Sequence, residues 1–465
     1  MLAWSRVPKD TLVVMLCWRS AVDTTARTDA SSAWVLLLAH VALCSLMSAV
    51  TAANPLLRDS GMADANLKYF AGQFLVFGTH DYASNDTHFQ MRNWRVWRSQ
   101  DAVSWVEAST VHPSNTLAWS TAAEQDECWA TDAAFVNGSY FFYLSVGPSE
   151  IGVVTSTTVA GPWHDPLGKP LLTAAMVPPS ARDPCVFADD DGSYYIIAGV
   201  FNYRIARLNP DMISLAEEPR NVSVNGAWGC CRWPTTPGAS TADKPFLHKR
   251  NGTYYLSWGA FYGVSDSVYG PYEMGGNVIA TAQIEPSFRT NTTLNASVWF
   301  LGNDYNDRHG SFLHYENQWL FVSNDRSQTQ AEGDPKPQFY RDTVGCYVHF
   351  RANAICSNST GVCHDAMEPC TINAIGIGEY DAAAPQPIEA ENYFGAVGMT
   401  RQVDLRAEHT DVKEDGFAVE VTHGSVLRFP NVRNVDRSRS TFTLRLLSTG
   451  SRRNSAFIEL RSGLD

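Results

Sequence analysis

A pattern of apolar and polar positions recurs five times along the chain. In each copy an apolar residue leads into a short turn, and a run of aromatic and aliphatic residues follows the turn. The five copies are residues 70–77, 135–143, 187–197, 247–256 and 312–322. Two apolar runs joined by a short polar turn are typical of a β-hairpin. Each copy therefore predicts a strand, a tight turn and a second strand.

The spacing of the five turns predicts the architecture. Gly stands in the first four turns, at positions 72, 138, 192 and 252, and Asn stands in the fifth, at 317. Successive turns are 66, 54, 60 and 65 residues apart, and no helical periodicity lies between them. Five β units of about 60 residues are typical of radial repetition, in which each unit is a four-stranded blade. The fold class predicted is therefore all-β, with a five-bladed β-propeller.

An ionisable residue stands six to nine positions before each turn. These residues are Asp64, Asp132, Asp183, Asp243 and His309. Equivalent positions in equivalent blades point in equivalent directions, so we expect these groups to converge on the central channel. The alternative is that Asp is simply common before strands and in turns. Because all five blades carry such a group, convergence is favoured, and it suggests acid–base chemistry on a neutral substrate.

Composition narrows the class of partner. The chain has 465 residues, of which 45% are hydrophobic and 18% charged, so it can bury a large core. Its formal charge of −13 argues against nucleic acid, because phosphate binding needs a basic surface. Nothing in the sequence predicts an obligate protein partner.

A leader is predicted at residues 1–53. Residues 33–50 form the one long apolar run, and small residues follow it. This pattern is typical of a secretory signal with cleavage near Ala53, which predicts a secreted protein. The alternative is an uncleaved signal anchor that tethers the protein to a membrane, since 18 residues lie at the lower edge of a span.

Sequons and cysteines agree with export. Asn-x-Ser/Thr motifs occur at Asn85, Asn137, Asn221, Asn251, Asn291, Asn295 and Asn358, and they predict a glycoprotein. Removing the leader leaves eight of ten cysteines, which is compatible with four disulfides. Cys356, Cys363 and Cys370 cluster and are the first candidates for bridging.

Several motifs, in order over residues 54–380, resemble those of glycoside hydrolase family 43. They are Met62-Ala-Asp64, Cys128-Trp-Ala-Thr-Asp132, Asp183-Pro-Cys, Asp243-Lys-Pro and Arg308-His309-Gly-Ser311, with Gly-Pro-aromatic turns at Gly161 and Gly270. The resemblance implies a five-bladed catalytic propeller over residues 54–380. It also implies hydrolysis, with inversion, of arabinosides, xylosides or some galactosides of plant cell walls. A carbohydrate is then the expected partner, and no cofactor is required.

The resemblance assigns roles to three carboxylates. Asp64 matches the general base, Asp183 the residue that tunes the acid's pKa, and Asp243 the general acid. Two departures are visible: Ala65 replaces the usual Pro, and Asp243 replaces the usual Glu. A catalytically impaired carbohydrate-binding propeller is therefore the alternative. A sucrose- or fructan-cleaving propeller is disfavoured, because no Asn-Asp-Pro-Asn run stands near the start.

Four residues are candidates for substrate binding. His80 ends the first hairpin beside Asp81, Trp129 offers a stacking surface, His309 stands before the fifth hairpin, and Arg341 matches an Arg of the family. A structural role is the alternative for each.

A second domain is predicted at residues 388–465. The run Ile388-Glu-Ala-Glu-Asn-Tyr-Phe394 resembles the first strand of a family 6 carbohydrate-binding module, and 426–429 and 442–446 alternate as strands do. The resemblance implies a partial β-sandwich, with Glu389 and Glu391 as possible ligands of a structural calcium.

Overall fold

The computed structural model describes residues 54–377 except 58–59, 83–88, 123, 227–240, 280–306, 316–317, 326–339, 357–360, 371 and 373–375. Beyond that stretch it describes the backbone of eight strands: Leu12–Arg19, Tyr380–Asp381, Gly395–Val397, Thr400–Asp404, Phe417–Val421, Val426–Phe429, Val432–Arg433 and Ser455–Ser462. The chain divides into two compact units. One comprises Ala52–Gly378 and Arg401–Ala418, and the other comprises Met1–Thr51, Glu379–Thr400 and Val419–Asp465.

The first unit contains five sheets that follow one another along the chain, as five blades of a propeller do. Blade I is Met62–Phe70, Gln73–Asp81, Met91–Ser99 and Val106–Val111. Blade II is Cys128–Val136, Ser139–Val146, Glu150–Ser156 and Leu172–Thr173. Blade III is Cys185–Ala188, Tyr194–Ala198, Arg204–Arg207 and Arg220–Asn221. The prediction of a five-bladed β-propeller is confirmed.

Blades IV and V complete the unit. Blade IV is Phe246–Arg250, Thr253–Trp258, Phe261–Ser265 and Tyr272–Asn277, and Val224–Asn225 joins its outer edge in parallel. Blade V is Gly310–Tyr315, Gln318–Asp325, Asp342–Cys356 and Cys363–Glu368. Two short helices, Pro113–Thr116 and Glu124–Asp126, lie between blades I and II.

Turn chemistry explains why the hairpins form where the sequence predicts them. The two-residue turns of blades I, II and IV are Ala71-Gly72, Asn137-Gly138 and Asn251-Gly252, and both residues of each have positive φ, between 50° and 82°. Such turns match the right-handed twist of the strands, and Asn and Gly tolerate this backbone best.

The hydrophobic core lies between neighbouring blades. One cluster packs blade I against blade II, as where the rings of Phe77 and Phe142 stand 5.1 Å apart. A second cluster joins blades II and III, and a third joins blades III, IV and V. The segment before blade I binds blade V, because the Asn54 side chain donates to the Gly345 carbonyl (2.9 Å) and accepts from the Gly345 N–H (2.7 Å). These hydrogen bonds link the start of the propeller to its last blade.

The second unit contains a sheet in the order Gly395–Val397, Val426–Phe429, Leu12–Arg19 and Ser455–Ser462. The predicted strand at 426–429 is present. Residues 442–446, Glu389 and Glu391 lie outside the described residues, so the sandwich and its calcium stay predictions. The apolar run at 33–50 also lies outside them. The strand Leu12–Arg19, which the sequence places in the leader, pairs antiparallel with both Val426–Phe429 and Ser455–Ser462.

Two disulfides close the last blade. Cys346 pairs with Cys370 and Cys356 pairs with Cys363, so the predicted bridging of the clustered cysteines is confirmed. Cys128 and Cys185 are buried and unbridged. Because these two cysteines are unbridged, the eight cysteines outside the leader do not all pair into four disulfides; Cys230 and Cys231 lie outside the described residues.

The exposure of the sequon asparagines bears on export. Three of the seven sequon asparagines, Asn137, Asn221 and Asn251, lie within the described residues, and all three are exposed. Among the helices that the structure describes, none has the length and apolar character needed to cross a membrane.

Candidate active site

The first strands of four blades bring equivalent residues to the propeller axis. Asp64 lies six positions before Phe70, the last paired residue ahead of its turn. Lys244 and His309 lie six positions before Arg250 and Tyr315, which are the corresponding residues of blades IV and V. Asp183 lies six positions before Asp189, whose N–H bonds to the Ser193 carbonyl across the turn. The residue of blade IV in register with Asp64 and Asp183 is thus Lys244, and Asp243 precedes it.

Three of these residues share an unusual backbone. Asp64, Asp183 and Lys244 have φ values of 52°, 59° and 46°, in the left-handed region that side chains disfavour. Each buried N–H is held by a side chain from elsewhere: Asn324 Oδ1 accepts from Asp64 (2.8 Å) and Ser145 Oγ from Asp183 (2.8 Å), while Asp183 Oδ2 accepts from Lys244 (3.1 Å). Such strained residues persist where the surroundings fix them, which is typical of functional sites.

Asp64 is buried, with 4% of its surface exposed, and is surrounded by donors. Arg341 donates from Nη1 to Oδ1 (3.1 Å) and from Nη2 to Oδ2 (3.4 Å), and Asn324 Nδ2 donates to Oδ1 (3.1 Å). His309 Nε2 lies 3.5 Å from Oδ1. Burial lowers the pKa of His309, although Asp64 and Asp307 oppose that shift. The His309 imidazole therefore lies directly beside the Asp64 carboxyl group.

Arg341 joins three carboxylates in one buried cluster. It contacts Asp64, Asp81 (Nε to Oδ2, 3.0 Å) and Asp307 (Nη1 to Oδ1, 2.8 Å), and its guanidinium stacks 4.6 Å from the Phe89 ring. Burial lowers the pKa of Arg341, but the three carboxylates outweigh burial and raise the pKa well above its ordinary value. Arg341 is thus a permanent cation that orients Asp64.

Asp183 and Asp243 form a second pair of acidic groups with unequal exposure. Asp183 is buried, and burial, together with the charges of Asp243 and Asp64, raises its pKa, while Arg182 acts in the opposite direction. The Asp243 side chain is 30% exposed, and its Oδ1 lies 4.0 Å from Arg182 Nη2. Two neighbouring carboxylates resist double ionisation, so this pair favours holding one proton.

Trp129 lies beside this second pair. The Arg182 guanidinium stacks 4.8 Å from the Trp129 ring, and Trp129 Nε1 donates to the Phe89 carbonyl (3.4 Å). Trp129 and Phe89 are only partly buried. Phe89 also touches Arg341, so these two aromatic residues link the surroundings of Asp243 to those of Asp64.

His80 is not brought into this group by the contacts that the structure describes. Burial lowers its pKa to about 4, Arg95 and His112 act in the same direction, and a hydrogen bond with Asn93 opposes them. Its chain neighbour Asp81 binds Arg341 instead.

Asp132 is separated from the reaction chemistry by its own hydrogen bonds. The residue is fully buried, Oδ1 accepts from Lys68 Nζ (2.6 Å) and from the Ala133 N–H (2.7 Å), and Oδ2 accepts from the Val186 N–H (2.7 Å). The carboxylate is therefore satisfied as a link between blades I, II and III. The sequence predicts that Asp132 converges on the channel with the other four residues. Both of its oxygens accept hydrogen bonds from the protein, so we assign it no contact with substrate.

One described group has a composition that could hold a cation. One atom each from Asp64, Asp307 and His309 lies within 4.8 Å of the others. The Arg341 guanidinium already supplies positive charge to both carboxylates, and we assign no metal there.

Sequence reasoning missed Asp307 and Asn324. The Asn324 side chain accepts a hydrogen bond from the Asp64 N–H and donates one to the Asp64 carboxylate. Asp307 forms an ion pair with Arg341, which also contacts Asp64. Asp307 could have been identified from the sequence by its position directly before the Arg308-His309 motif.

Two curated proteins with named activities are similar to this chain in sequence. The arabinoxylan arabinofuranohydrolase of Bacillus subtilis (strain 168) is 28% identical over 327 residues, covering 60% of this chain and 58% of that protein. A xylosidase/arabinosidase of Bacteroides ovatus is 26% identical over 307 residues, covering 56% of this chain and 89% of that protein. The chain thus spans a little over half of the first relative and most of the second.

Solved structures support the fold. A family 43 arabinoxylan arabinofuranohydrolase from Bacillus subtilis, in complex with cellotetraose, superposes with a TM-score of 0.53 at 22% identity, covering 76% of this chain and 75% of that one. The family profile of "Glycosyl hydrolases family 43" matches residues 74–335, which is more than half of the chain. The chain therefore belongs to glycosyl hydrolase family 43.

Proposed function

We propose that this protein is a secreted glycosidase of the arabinofuranosidase and xylosidase type, which cleaves arabinoxylan-like substrates with inversion. The observation that carries the proposal is the pairing of unlike carboxylates in one site. Asp64 is buried and held by Arg341 and Asn324, whereas Asp243 is partly exposed and adjoins the buried Asp183. Inverting hydrolysis needs one ionised and one protonated carboxyl group.

Asp64 acts as the general base. Arg341, Asn324 and His309 surround its oxygens with donors suited to a carboxylate, and they fix its orientation. An attacking water would give its proton to Asp64 as the bond to the sugar forms.

Asp243 acts as the general acid and gives its proton to the departing glycosidic oxygen. Burial, together with the charges of Asp243 and Asp64, raises the pKa of the neighbouring Asp183, so the two carboxyl groups favour holding one proton between them, and in this scheme Asp243 donates it. The Lys244 N–H donates to Asp183 Oδ2 and so holds the Asp183 carboxyl group in one position.

Trp129 is the candidate platform for the sugar. Aromatic faces stack on the apolar faces of sugar rings, and Trp129 lies partly exposed next to Arg182, the neighbour of Asp243.

Export is supported by the two disulfides, by the three exposed sequon asparagines and by the sequence of the leader. Disulfides persist in oxidising compartments. Secretion therefore belongs to the proposal.

The acid role of Asp243 is tested by the leaving group. We expect Asp243→Asn to lower kcat on an unactivated phenyl arabinofuranoside or xyloside by about 10²–10⁴-fold, since proton donation is lost. On a 2,4-dinitrophenyl glycoside, which departs without a proton, the loss should be less than about tenfold. We also expect Asp243→Glu to lose rate mainly on the unactivated substrate, because a shift of about 1 Å misplaces the proton.

The control is Asp190→Asn, since the Asp190 side chain is 82% exposed in the turn of blade III. Equal losses by Asp243→Asn on both substrates would remove Asp243 from the acid role. A wild-type protein that binds arabinoxylan oligosaccharides but cleaves none of these glycosides would instead support the non-catalytic binding propeller.

A further inference from the structure

Lys244 is a fully enclosed lysine that directly follows Asp243 of the candidate site. Only 1% of its surface is exposed, although its side chain carries an ammonium group. Burial lowers its pKa, and the charges of Asp132, Asp64, Cys185 and Asp183 act in the opposite direction. A cation is expensive to bury unless anionic groups surround it, so its position needs an explanation.

The side chain of Lys244 reaches from blade IV to blade I. Lys244 Nζ donates to Asn66 Oδ1 at 3.2 Å. Asn66 is itself fully buried, and its Nδ2 donates to the Asp64 carbonyl (3.3 Å) and to the Thr131 carbonyl (2.5 Å). Lys244 therefore acts on the main chain of Asp64 through one intermediate, and on blade II through the same amide.

The main chain of Lys244 contacts Asp183 and directly follows Asp243, the two members of the second acidic pair. Its N–H donates to Asp183 Oδ2, and its left-handed φ sets the path of the chain immediately after Asp243. One residue thus contacts Asp183 directly, reaches Asp64 through Asn66 and adjoins Asp243 in sequence.

The second lysine of this region provides a contrast. Lys68 Nζ forms a 2.6 Å ion pair with Asp132, and its side chain is 12% exposed. It satisfies a carboxylate that already links three blades. Within the described residues, the Lys244 side chain donates one hydrogen bond, to the neutral amide of Asn66, and forms no close ion pair with a single carboxylate.

We propose that Lys244 is a positioning residue of the glycosidase reaction, which holds Asp64 through Asn66 and Asp183 through its own N–H while its ammonium supplies the positive charge beneath both. Lys244 touches no substrate in this scheme. The inference rests on the proposed function, because it assumes that Asp64 is the base.

The charged groups around Lys244 determine what its removal changes. Burial lowers the pKa of Lys244, the charges of Asp132, Asp64, Cys185 and Asp183 oppose that shift, and the charge of Lys244 contributes to the lowered pKa of His309. Lys68 neutralises Asp132. Loss of the ammonium should therefore be felt mainly by Asp64 and Asp183, since an adjacent cation favours the ionised carboxylate.

The test compares Lys244→Met with Lys68→Met on an aryl glycoside that the wild type cleaves. We expect Lys244→Met to lower kcat on the order of 10–100-fold with KM changed less than threefold, since misplacing a reacting group by about 1 Å costs about this much. The acid limb of its kcat/KM profile should move to higher pH by on the order of one unit. Lys68→Met should leave that limb where it is in the wild type.

Lys244→Gly covers the case in which the Met variant does not fold. Gly accepts the left-handed backbone at this position, and it removes the ammonium completely. Folded Met or Gly variants with wild-type kcat and an unmoved acid limb would overturn the proposal, as would a rise in KM with unchanged kcat. A wild type that cleaves no glycoside would overturn the proposed function instead.

Discussion

Asp64→Asn is expected to lower kcat on a cleavable aryl glycoside by about 10²–10⁴-fold, because the attacking water loses the group that takes its proton. The effect should be independent of the leaving group, in contrast to Asp243→Asn. KM should change little, since the amide keeps the size of the carboxyl group and an oxygen that Asn324 or Arg341 can still reach. Steady-state kinetics on the phenyl and 2,4-dinitrophenyl glycosides measure both statements.

The matched control for Asp64→Asn is Asp266→Asn, in which the same change falls on a side chain that is 70% exposed on the surface of blade IV. It should retain wild-type rates. Retention of more than about a tenth of the wild-type kcat by folded Asp64→Asn would move the base role to another residue.

Arg341→Met is expected to destabilise the protein by about 3–5 kcal/mol, the usual cost of leaving buried charges without their partner. The substitution removes the cation from Asp64, Asp81 and Asp307 together. Thermal or urea unfolding measures the loss. Arg250→Met is the control, because Arg250 pairs with Asp365 at a partly exposed site, where ion pairs contribute about 0–1 kcal/mol.

The same variant should show an altered pH dependence. Burial raises the pKa of Asp81 from 3.8 to about 6 in the folded protein, although Arg341 opposes this shift. A carboxyl group whose pKa is raised by folding favours the folded state when protonated, and that contribution is lost as pH rises from about 4 to 6. Without Arg341 the shift should grow, so Arg341→Met should be more stable at pH 5 than at pH 8. Greater stability at pH 8 would contradict this role.

The architecture was predictable from the sequence because the hairpin turns carry their own signal. Asn137-Gly138 and Asn251-Gly252 adopt the left-handed turn that this dipeptide favours, and the apolar runs around them supply the paired strands. Asp64, Asp183 and His309 were then found by counting back from the turns.

At blade IV the same count leads to Asp243, which lies one residue before the position equivalent to Asp183. Asp183 and Asp243 both lie nine positions before a turn Gly, at 192 and 252. In blade III three residues separate the bonded pair Asp189 and Ser193, whereas in blade IV only two residues separate Arg250 from Thr253. The extra residue shifts the register by one, so Lys244 and not Asp243 is equivalent to Asp183. Turn length is a property of the backbone that the count does not contain.

The surroundings of Asp64 were predictable only in part. Arg341 was found by resemblance, but Asn324 and Arg341 meet Asp64 from positions 260 and 277 residues away in the chain. Such contacts depend on closure of the propeller, which brings blade V back to blade I. Asp81, the chain neighbour of the candidate His80, joins this cluster because its carboxylate accepts from Arg341.

The most direct test of the central claim is the configuration of the first product. Two carboxylates that act as acid and base, with water attacking from the face opposite the leaving group, invert the anomeric centre. Proton NMR of wild-type hydrolysis of an aryl α-L-arabinofuranoside, recorded before mutarotation, should show β-L-arabinofuranose first, and an aryl β-xyloside should likewise give α-xylose. First appearance of the retained anomer would contradict the account, because retention requires a carboxylate nucleophile in place of a base.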